Sequence, residues 1–223
     1  MKNKFLVENN EIIFRRASIN DNLEQIASLI YKTDPHIYPY WFNNDMDEAI
    51  HCLTKLIASP ASLFSADNIY VAANKADSKI VGVLVAIDKS VYLSHNYDLF
   101  RDINSRHAFT IDNYVIPIER EIDYFDNHTM YISNVCVDEN IRGKGIGSYL
   151  LGYFISQMEK QGFDVFHLDC LLHNLRAKNL YHTMGFKEMK LIVGFDGTDH
   201  SKVEVVSFLR KKGAYYPEDF QVK

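Results

Sequence analysis

The spacing of hydrophobic residues at the start of the chain predicts a strand followed by a helix. A β-like run at 11–16 precedes a segment in which apolar residues recur every three or four positions from Leu23 to Ile30. This period is that of one buried helix face. Asp21 and Glu24 are the predicted N-cap of this helix and its N3 partner.

Two prolines interrupt the helical pattern before a second helix begins. Pro35 and Pro39 prevent the first helix from continuing through 34–42, a segment that carries four aromatic residues. The period returns over 46–58, which we predict to be a helix that ends before Pro60. Two strands joined by a hairpin loop follow, at 68–74 and 79–87.

The second half of the chain alternates between strands and helices. The predicted elements are a strand at 129–137, a helix at 145–162, a strand at 163–169, a short helix capped by Asn174 and ending at Gly185, and strands at about 186–193 and 203–210. Residues 88–128 lack a clean period and hold eight acidic, four basic and seven aromatic residues. We therefore predict one α/β (α+β) domain over 1–223, with a mixed, mostly antiparallel sheet of about seven strands, helices on both faces, and an acidic, aromatic insertion at about 88–128.

Composition and charge narrow the class of protein. The chain is 47% hydrophobic and 24% charged, which excludes a disordered or collagen-like protein. A net charge of −5 gives no general attraction to nucleic acid or anionic lipid. The three cysteines form no CxxC pair, no apolar run approaches the ~18 residues of a membrane span, and the first residues are not typical of a signal peptide. We expect a cytoplasmic protein with no membrane segment.

A glycine-rich loop between a predicted strand and a predicted helix is the most informative motif. The sequence Arg142-Gly-Lys-Gly-Ile-Gly-Ser148 lets the backbone turn tightly and approach a ligand, because glycine has no Cβ. The unpaired N–H groups and positive dipole of the following helix would favour a pyrophosphate there, beside Arg142 and Lys144. A Walker A loop is excluded because no GK[ST] has the required spacing, and a dinucleotide fingerprint fits poorly because Ser148 replaces its third glycine.

The chain resembles the GCN5-related N-acetyltransferase (GNAT) superfamily in two separate motifs. The loop Arg142–Gly147 matches the family signature Arg/Gln-x-x-Gly-x-Gly/Ala, which binds the pyrophosphate of acetyl-CoA. The second motif is Asn-x-x-Ala-x-x-Leu-Tyr followed by Gly-Phe, which is matched by Asn174, Ala177, Leu180, Tyr181, Gly185 and Phe186. The close match covers about 131–186, and a chance match of both motifs in the right order is rare.

The resemblance implies a site for acetyl-CoA and no metal. In the family, backbone groups of the strand before the loop pair with the pantetheine and meet the acetyl oxygen. The residues that correspond to these binding groups are Val135, Cys136, Val137, Arg142, Gly143, Lys144, Gly145, Ile146, Gly147, Ser148 and Asn174. Tyr181 corresponds to the general acid that protonates the departing thiolate, since a phenol can lend its proton to a sulfur anion.

The general base cannot be assigned from the sequence. Family members that use a carboxylate often carry a glutamate near the start of the strand at 129–137, where this chain has Tyr131. Asp123, Asp126 and His128 precede that position, but each is more simply a solvated loop residue.

A second cluster of chemically active residues is better explained without a metal. His167, Asp169, Cys170 and His173 lie close in sequence, but residues 167 and 169 of a strand share one face and residue 170 points to the other. These side chains cannot converge on zinc without a turn.

The resemblance implies an N-acetyltransferase that moves an acetyl group from acetyl-CoA to a primary amine by direct attack in a ternary complex. Transfer of another acyl group, transfer to a hydroxyl, and a non-catalytic sensor of CoA thioesters remain open alternatives. We expect a small-molecule or peptide acceptor that is cationic, because acidic and aromatic residues at 34–42 and 88–128 favour ammonium groups. A homodimer is compatible with the sequence.

Overall fold

Eight strands form one sheet in the computed structural model, which describes residues 4–7, 10–88, 90–91, 127–195 and 202–213. The strands are β1 (Lys4–Val7), β2 (Asn10–Arg16), β3 (Ile69–Asn74), β4 (Ile80–Asp88), β5 (Thr129–Val137), β6 (Val165–Leu171), β7 (Lys187–Phe195) and β8 (Lys202–Lys211). Their order in the sheet is β1-β2-β3-β4-β5-β6-β8-β7. Among these eight strands only β5 and β6 pair in parallel, so the predicted mixed and mostly antiparallel sheet is confirmed.

Five α-helices cover the two faces of the sheet in the described residues. They are α1 (Leu23–Tyr31), α2 (Ile37–Trp41), α3 (Met46–Ala58), α4 (Ile146–Lys160) and α5 (Leu175–Thr183). Two clusters of buried side chains lie on opposite sides of the sheet, one under α1, α2 and α3 and the other under α4 and α5. We call these the α1–α3 face and the α4–α5 face. The prediction of helices on both faces is confirmed.

The N-cap of α1 is Asn22, so the prediction of Asp21 was wrong. The side chain of Asn22 accepts a hydrogen bond from the backbone N–H of Gln25 at 3.1 Å. Asp21 instead accepts a hydrogen bond from Arg15 at 2.8 Å and another from the backbone N–H of Ser18. A nearby guanidinium satisfies this carboxylate better than an exposed helix terminus does, which leaves the capping position to the next residue.

The proline-containing segment ends the first helix, as predicted, but it also forms a short helix of its own. Helix α1 ends at Tyr31, and Asp34 accepts hydrogen bonds from the backbone N–H groups of His36 and Ile37 at the start of α2. Pro39 is the third residue of α2, where its missing N–H has no intrahelical partner to lose.

Most of the predicted insertion at 88–128 lies outside the described residues, as do residues 214–223. The three cysteines Cys52, Cys136 and Cys170 are free thiols. Within the described ranges, no helix is long and apolar enough to cross a membrane.

Candidate active site

A bulge in β5 changes the direction of its side chains near the centre of the sheet. Val85 of β4 pairs with Asn134 and the next residue, Ala86, pairs with Ile132, so Ser133 is the extra residue of β5. The bulge places Asn134 on the α1–α3 face, where its side-chain amide donates hydrogen bonds to Thr33 at 2.7 Å and to the Tyr38 hydroxyl at 3.0 Å.

The parallel pairing of β5 and β6 stops halfway along β5. The last paired residues are Ile132 and Leu168, after which β6 continues beside β8. In the described structure, residues 134–137 of β5 pair with β4 on one side and have no strand partner on the other. We call this opening the β5–β6 gap. Its β5 edge can pair with an extended ligand, because free main-chain groups at a sheet edge accept an added strand.

The main-chain groups that face the gap belong to Val135 and Val137. The N–H of Asp138 donates to Val81 of β4 at 2.9 Å, and successive residues of a strand point their N–H and C=O groups to opposite sides. Val137 and Val135 therefore face away from β4, into the gap, whereas the main chain of Cys136 faces β4. The Cys136 side chain is buried on the α1–α3 face.

Arg142 ties the glycine-rich loop to the end of β5. Its Nε donates to the Val137 carbonyl at 2.8 Å, and one terminal guanidinium nitrogen lies 3.8 Å from the Cys136 sulfur. Burial raises the pKa of the Cys136 thiol, although the charge of Arg142 opposes this shift. The guanidinium therefore fixes the position of the loop. Arg142 as a whole is exposed at the surface.

The glycine-rich loop turns sharply into α4 and presents unpaired N–H groups. Gly143 and Gly145 have φ angles of +82° and +83°, which favour glycine, and a Cβ at Gly143 would meet no atom within 4 Å. Gly145 is the N-cap of α4 and supplies no side-chain cap. Among the described residues, no hydrogen bond satisfies the backbone N–H groups of Ile146, Gly147 or Ser148. This arrangement suits an anion, and half-buried Lys144 lies beside it.

Gly147 marks the point where α4, β5 and α5 come together. A Cβ at this position would lie 3.6 Å from Val137 of β5 and 3.6 Å from Leu180 of α5. The loop, the gap and the helix that carries Tyr181 are therefore adjacent.

Tyr181 of α5 lies on the α4–α5 face, where its ring packs against two other aromatic rings. The ring lies 5.9 Å from that of Phe186 and 5.5 Å from that of Phe208, and the residue is 7% exposed. In the described structure its hydroxyl has no hydrogen-bond partner. Burial raises the pKa of this hydroxyl well above its ordinary value, and the charges of Cys170 and Asp169 act in the same direction. The group therefore remains a protonated donor near neutral pH.

Asn174 is the N-cap of α5. Its side-chain oxygen accepts from the backbone N–H of Ala177 at 3.1 Å, which confirms the predicted cap. The structure thus gives this residue a role in positioning α5 at the gap.

His128 lies at the opposite end of β5 from the gap. Its ring contacts the carbonyl of Gly162 at 3.1 Å. Seven residues separate it from Val135, a distance of roughly 23 Å along a strand. Asp123 and Asp126 lie outside the described residues.

A hydrogen-bonded pair at the gap was not anticipated from the sequence. The hydroxyl of Tyr131 donates to Asp169 at 3.0 Å. Tyr131 and His167 are paired across β5 and β6, with their rings 6.0 Å apart, and Asp169 is two residues further along β6. No group of three or more His, Cys, Asp or Glu side chains that could hold a metal occurs within the part of the chain the structure describes.

Comparisons with known proteins find acetyltransferases. Residues 30–186 match the model of the acetyltransferase (GNAT) family. The chain is 39% identical over 64 residues to GCN5-related N-acetyltransferase 4, chloroplastic, of Arabidopsis thaliana, a match that covers 29% of this chain and only 22% of the plant protein.

Two solved structures have the same fold. An N-acetyltransferase from Staphylococcus aureus Mu50 superposes with a TM-score of 0.65 at 17% identity, covering 88% of this chain and 99% of that one. The polyamine N-acetyltransferase of Drosophila melanogaster, described as forming N-acetylagmatine, superposes with a TM-score of 0.60 at 15% identity, covering 90% and 99%. At such identities the likeness shows the fold alone.

Proposed function

The chain belongs to the acetyltransferase (GNAT) family, and from this premise we propose that it transfers an acetyl group from acetyl-CoA to a primary amine. The observation that carries the proposal is the β5–β6 gap, which opens directly beside the glycine-rich loop at the start of α4. One extended ligand can thus pair with β5 and place its anionic part on the helix N-terminus. We further propose that residues 1–223 act as one domain.

We propose that the loop and the β5 edge divide the binding of acetyl-CoA between them. The N–H groups of the α4 terminus and the basic side chains would hold the pyrophosphate, and the residues concerned are Arg142, Gly143, Lys144, Gly145, Ile146, Gly147 and Ser148. Val135 and the N–H of Val137 would pair with the pantetheine, because these main-chain groups face the gap, whereas the Val137 carbonyl accepts a hydrogen bond from Arg142. Cys136 lies between these two residues and would leave its main chain paired with β4. Asn174 would lie at the edge of the site, at the start of α5.

The same arrangement provides for the reaction itself. An N–H group at the β5 edge, that of Val135 or Val137, would donate to the acetyl oxygen as negative charge develops on it. Tyr181 would protonate the departing thiolate, because its hydroxyl carries its proton near neutral pH and its helix borders the gap. Direct attack in a ternary complex then needs no acylated residue of the protein.

The acceptor that we propose is a cationic amine. Half-buried Tyr31 and Trp41 flank the buried ring of Tyr38 at 6.1 Å and 5.6 Å, on the α1–α3 face beside Asn134. Such rings favour ammonium groups, and the polyamine enzyme with the same fold makes this acceptor class reasonable. Transfer of other acyl groups or transfer to a hydroxyl would use the same gap.

A panel of acceptors tests this proposal. With acetyl-CoA as donor, we expect agmatine and spermidine to release free CoA thiol at least tenfold faster than a neutral or an acidic amino compound of similar size. We also expect added salt to slow the reaction, because exposed charges are screened. An anionic best acceptor whose rate does not change with salt would contradict the proposed acceptor class.

The panel also separates the enzyme from a non-catalytic sensor. Tyr131 stands where many family members carry a glutamate, which is the feature that favours a sensor. A sensor would bind acetyl-CoA tightly and consume none of it with any amine.

A further inference from the structure

We propose that Asp169 is the group that holds and deprotonates the acceptor ammonium, and that Tyr131 is the positioning residue that fixes its carboxylate. This inference rests on the proposed function and deepens it, because it names the proton acceptor of the same site.

The position of Asp169 in the sheet carries the inference. It is the first residue of β6 after Leu168, the last residue that pairs with β5, so it stands where the gap opens. On its other side it is paired with Ser207 of β8. Its side chain shares a face with that of His167, two residues before it, and the residue is half-buried. A carboxylate at this point borders both the gap and the α1–α3 face.

The hydrogen bond from Tyr131 gives the carboxylate a fixed orientation. The two oxygen atoms are 3.0 Å apart, and Tyr131 is 8% exposed, so the donor is itself held by packing. A carboxylate accepts about four hydrogen bonds, so this contact is compatible with a further donor such as an ammonium group.

Asp169 and Tyr181 approach the gap from opposite faces of the sheet. Tyr131, the partner of Asp169, packs in the core of the α1–α3 face, whereas Tyr181 packs in that of the α4–α5 face. The negative charge of Asp169 nevertheless acts on Tyr181 and raises the pKa of its hydroxyl. A group that lies in the gap can therefore meet a proton acceptor on one side and a proton donor on the other.

Other titratable side chains surround Asp169 in the described structure. They are Tyr131 of β5, His167 and Cys170 of β6, and Tyr181 of α5. Burial raises the pKa of Cys170 to about 12; Lys178 opposes this shift, and Asp169 and Glu188 add to it. Cys170 and Tyr181 thus stay neutral near neutral pH, which leaves His167 as the competing proton acceptor.

The protons balance across the reaction. The ammonium nitrogen carries three protons at the start. The first passes to a carboxylate oxygen of Asp169, and the neutral amine that remains attacks the thioester carbonyl. The new C–N bond forms, the C–S bond breaks with its electron pair on sulfur, and Tyr181 gives its proton to that sulfur. One proton stays on the amide. The second proton lost by nitrogen restores Tyr181 through water, and Asp169 returns its proton to solvent.

The test uses Asp169→Asn, with Asp164→Asn as a matched control on the residue just before β6. With acetyl-CoA and agmatine, we expect Asp169→Asn to lower kcat/KM about 100-fold at neutral pH, the lower end for losing one positioned proton acceptor. The deficit should shrink as the pH rises toward the amine pKa of ~10, because free amine then needs no base. The Kd of acetyl-CoA should not change, and Asp164→Asn should behave as the wild type.

Tyr131→Phe and a binding experiment test the positioning role. Losing one hydrogen bond to a charged group should lower kcat/KM about tenfold, with the pH profile of the wild type retained. Calorimetric titration of agmatine into the complex with CoA should show at least tenfold weaker binding to Asp169→Asn. A merely structural Tyr131 would lower the melting temperature and leave kcat/KM unchanged.

The outcomes separate this inference from the proposed function. If the wild type is active and the Asp169→Asn variant is equally active, the inference is overturned and the proposed function is kept. Loss of activity in His167→Gln together with full activity in Asp169→Asn would have the same consequence. A wild type that consumes no acetyl-CoA with any amine of the panel overturns both.

Discussion

Replacing Tyr181 with phenylalanine should slow the chemical step by roughly 10²–10³-fold and leave the affinity for acetyl-CoA nearly unchanged. The ring that packs between Phe186 and Phe208 is kept. Among the described residues the hydroxyl has no partner, so its removal breaks no internal hydrogen bond there. Its loss should cost roughly 2–4 kcal/mol of transition-state stabilisation, by analogy with removing one positioned donor. The effect should fall on kcat, since charge develops on sulfur only during the reaction.

Single-turnover rates are the appropriate measurement for this variant, because slow product release can mask a change in the chemical step. Tyr153→Phe is a matched control, since that tyrosine lies on α4 beside Phe14, with a ring distance of 6.3 Å, and has no part in the gap. If Tyr181→Phe reacts as fast as the wild type, Tyr181 only packs, and the thiolate takes its proton from water or another group.

Replacing Gly145 with valine should abolish measurable binding of acetyl-CoA and CoA. Gly145 is the N-cap of α4 and has a φ of +83°, where a β-branched side chain is strained. The loop would have to leave this conformation, and the N–H groups proposed to hold the pyrophosphate would turn away. Calorimetry should show at least a 100-fold increase in Kd, a loss of ~2.7 kcal/mol of binding free energy.

Gly162→Val separates lost binding from general strain. Gly162 follows the other end of α4 with a φ of +97°, and a Cβ there would meet no atom within 4 Å, so the variant suffers the same backbone strain away from the loop. We expect this control to lose stability and to bind CoA as the wild type does. Tight CoA binding by Gly145→Val would refute the assignment of the phosphate loop, and equal losses in both variants would mean that the effect is not local.

Elements in which hydrophobic residues recur at a regular, uninterrupted spacing were predicted well from the sequence. Helix α3 and strand β5 have the bounds that were predicted. The apolar face of α3 ends shortly before a proline, and the buried run of β5 ends at polar residues. Strand β1 was missed, since three apolar residues are too short a pattern and its strand character depends on pairing with β2. The N-cap of α1 was displaced by one residue, because the guanidinium that engages Asp21 comes from a neighbouring strand.

The candidate site could be predicted only where it is local in sequence. The glycine-rich loop and the α5 motif are each formed by consecutive residues. Their positions could therefore be predicted from the strands and helices that flank them in the sequence. The pair formed by Tyr131 and Asp169 is separated by 38 residues, and it depends on the parallel register of β5 and β6. The bulge at Ser133 is equally invisible in the sequence, because it is defined by the pairing with β4.

Measurement of acetyl transfer with and without an amine tests the central proposal most directly. The wild type is mixed with stoichiometric acetyl-CoA, and the released thiol and the intact protein mass are followed before and after agmatine is added. We expect no thiol release and an unchanged protein mass until the amine is present, then one equivalent each of free CoA and acetylated amine. Thiol release without amine together with a protein heavier by one acetyl group would contradict direct attack. Bound acetyl-CoA that no amine of the panel can discharge would contradict catalysis itself.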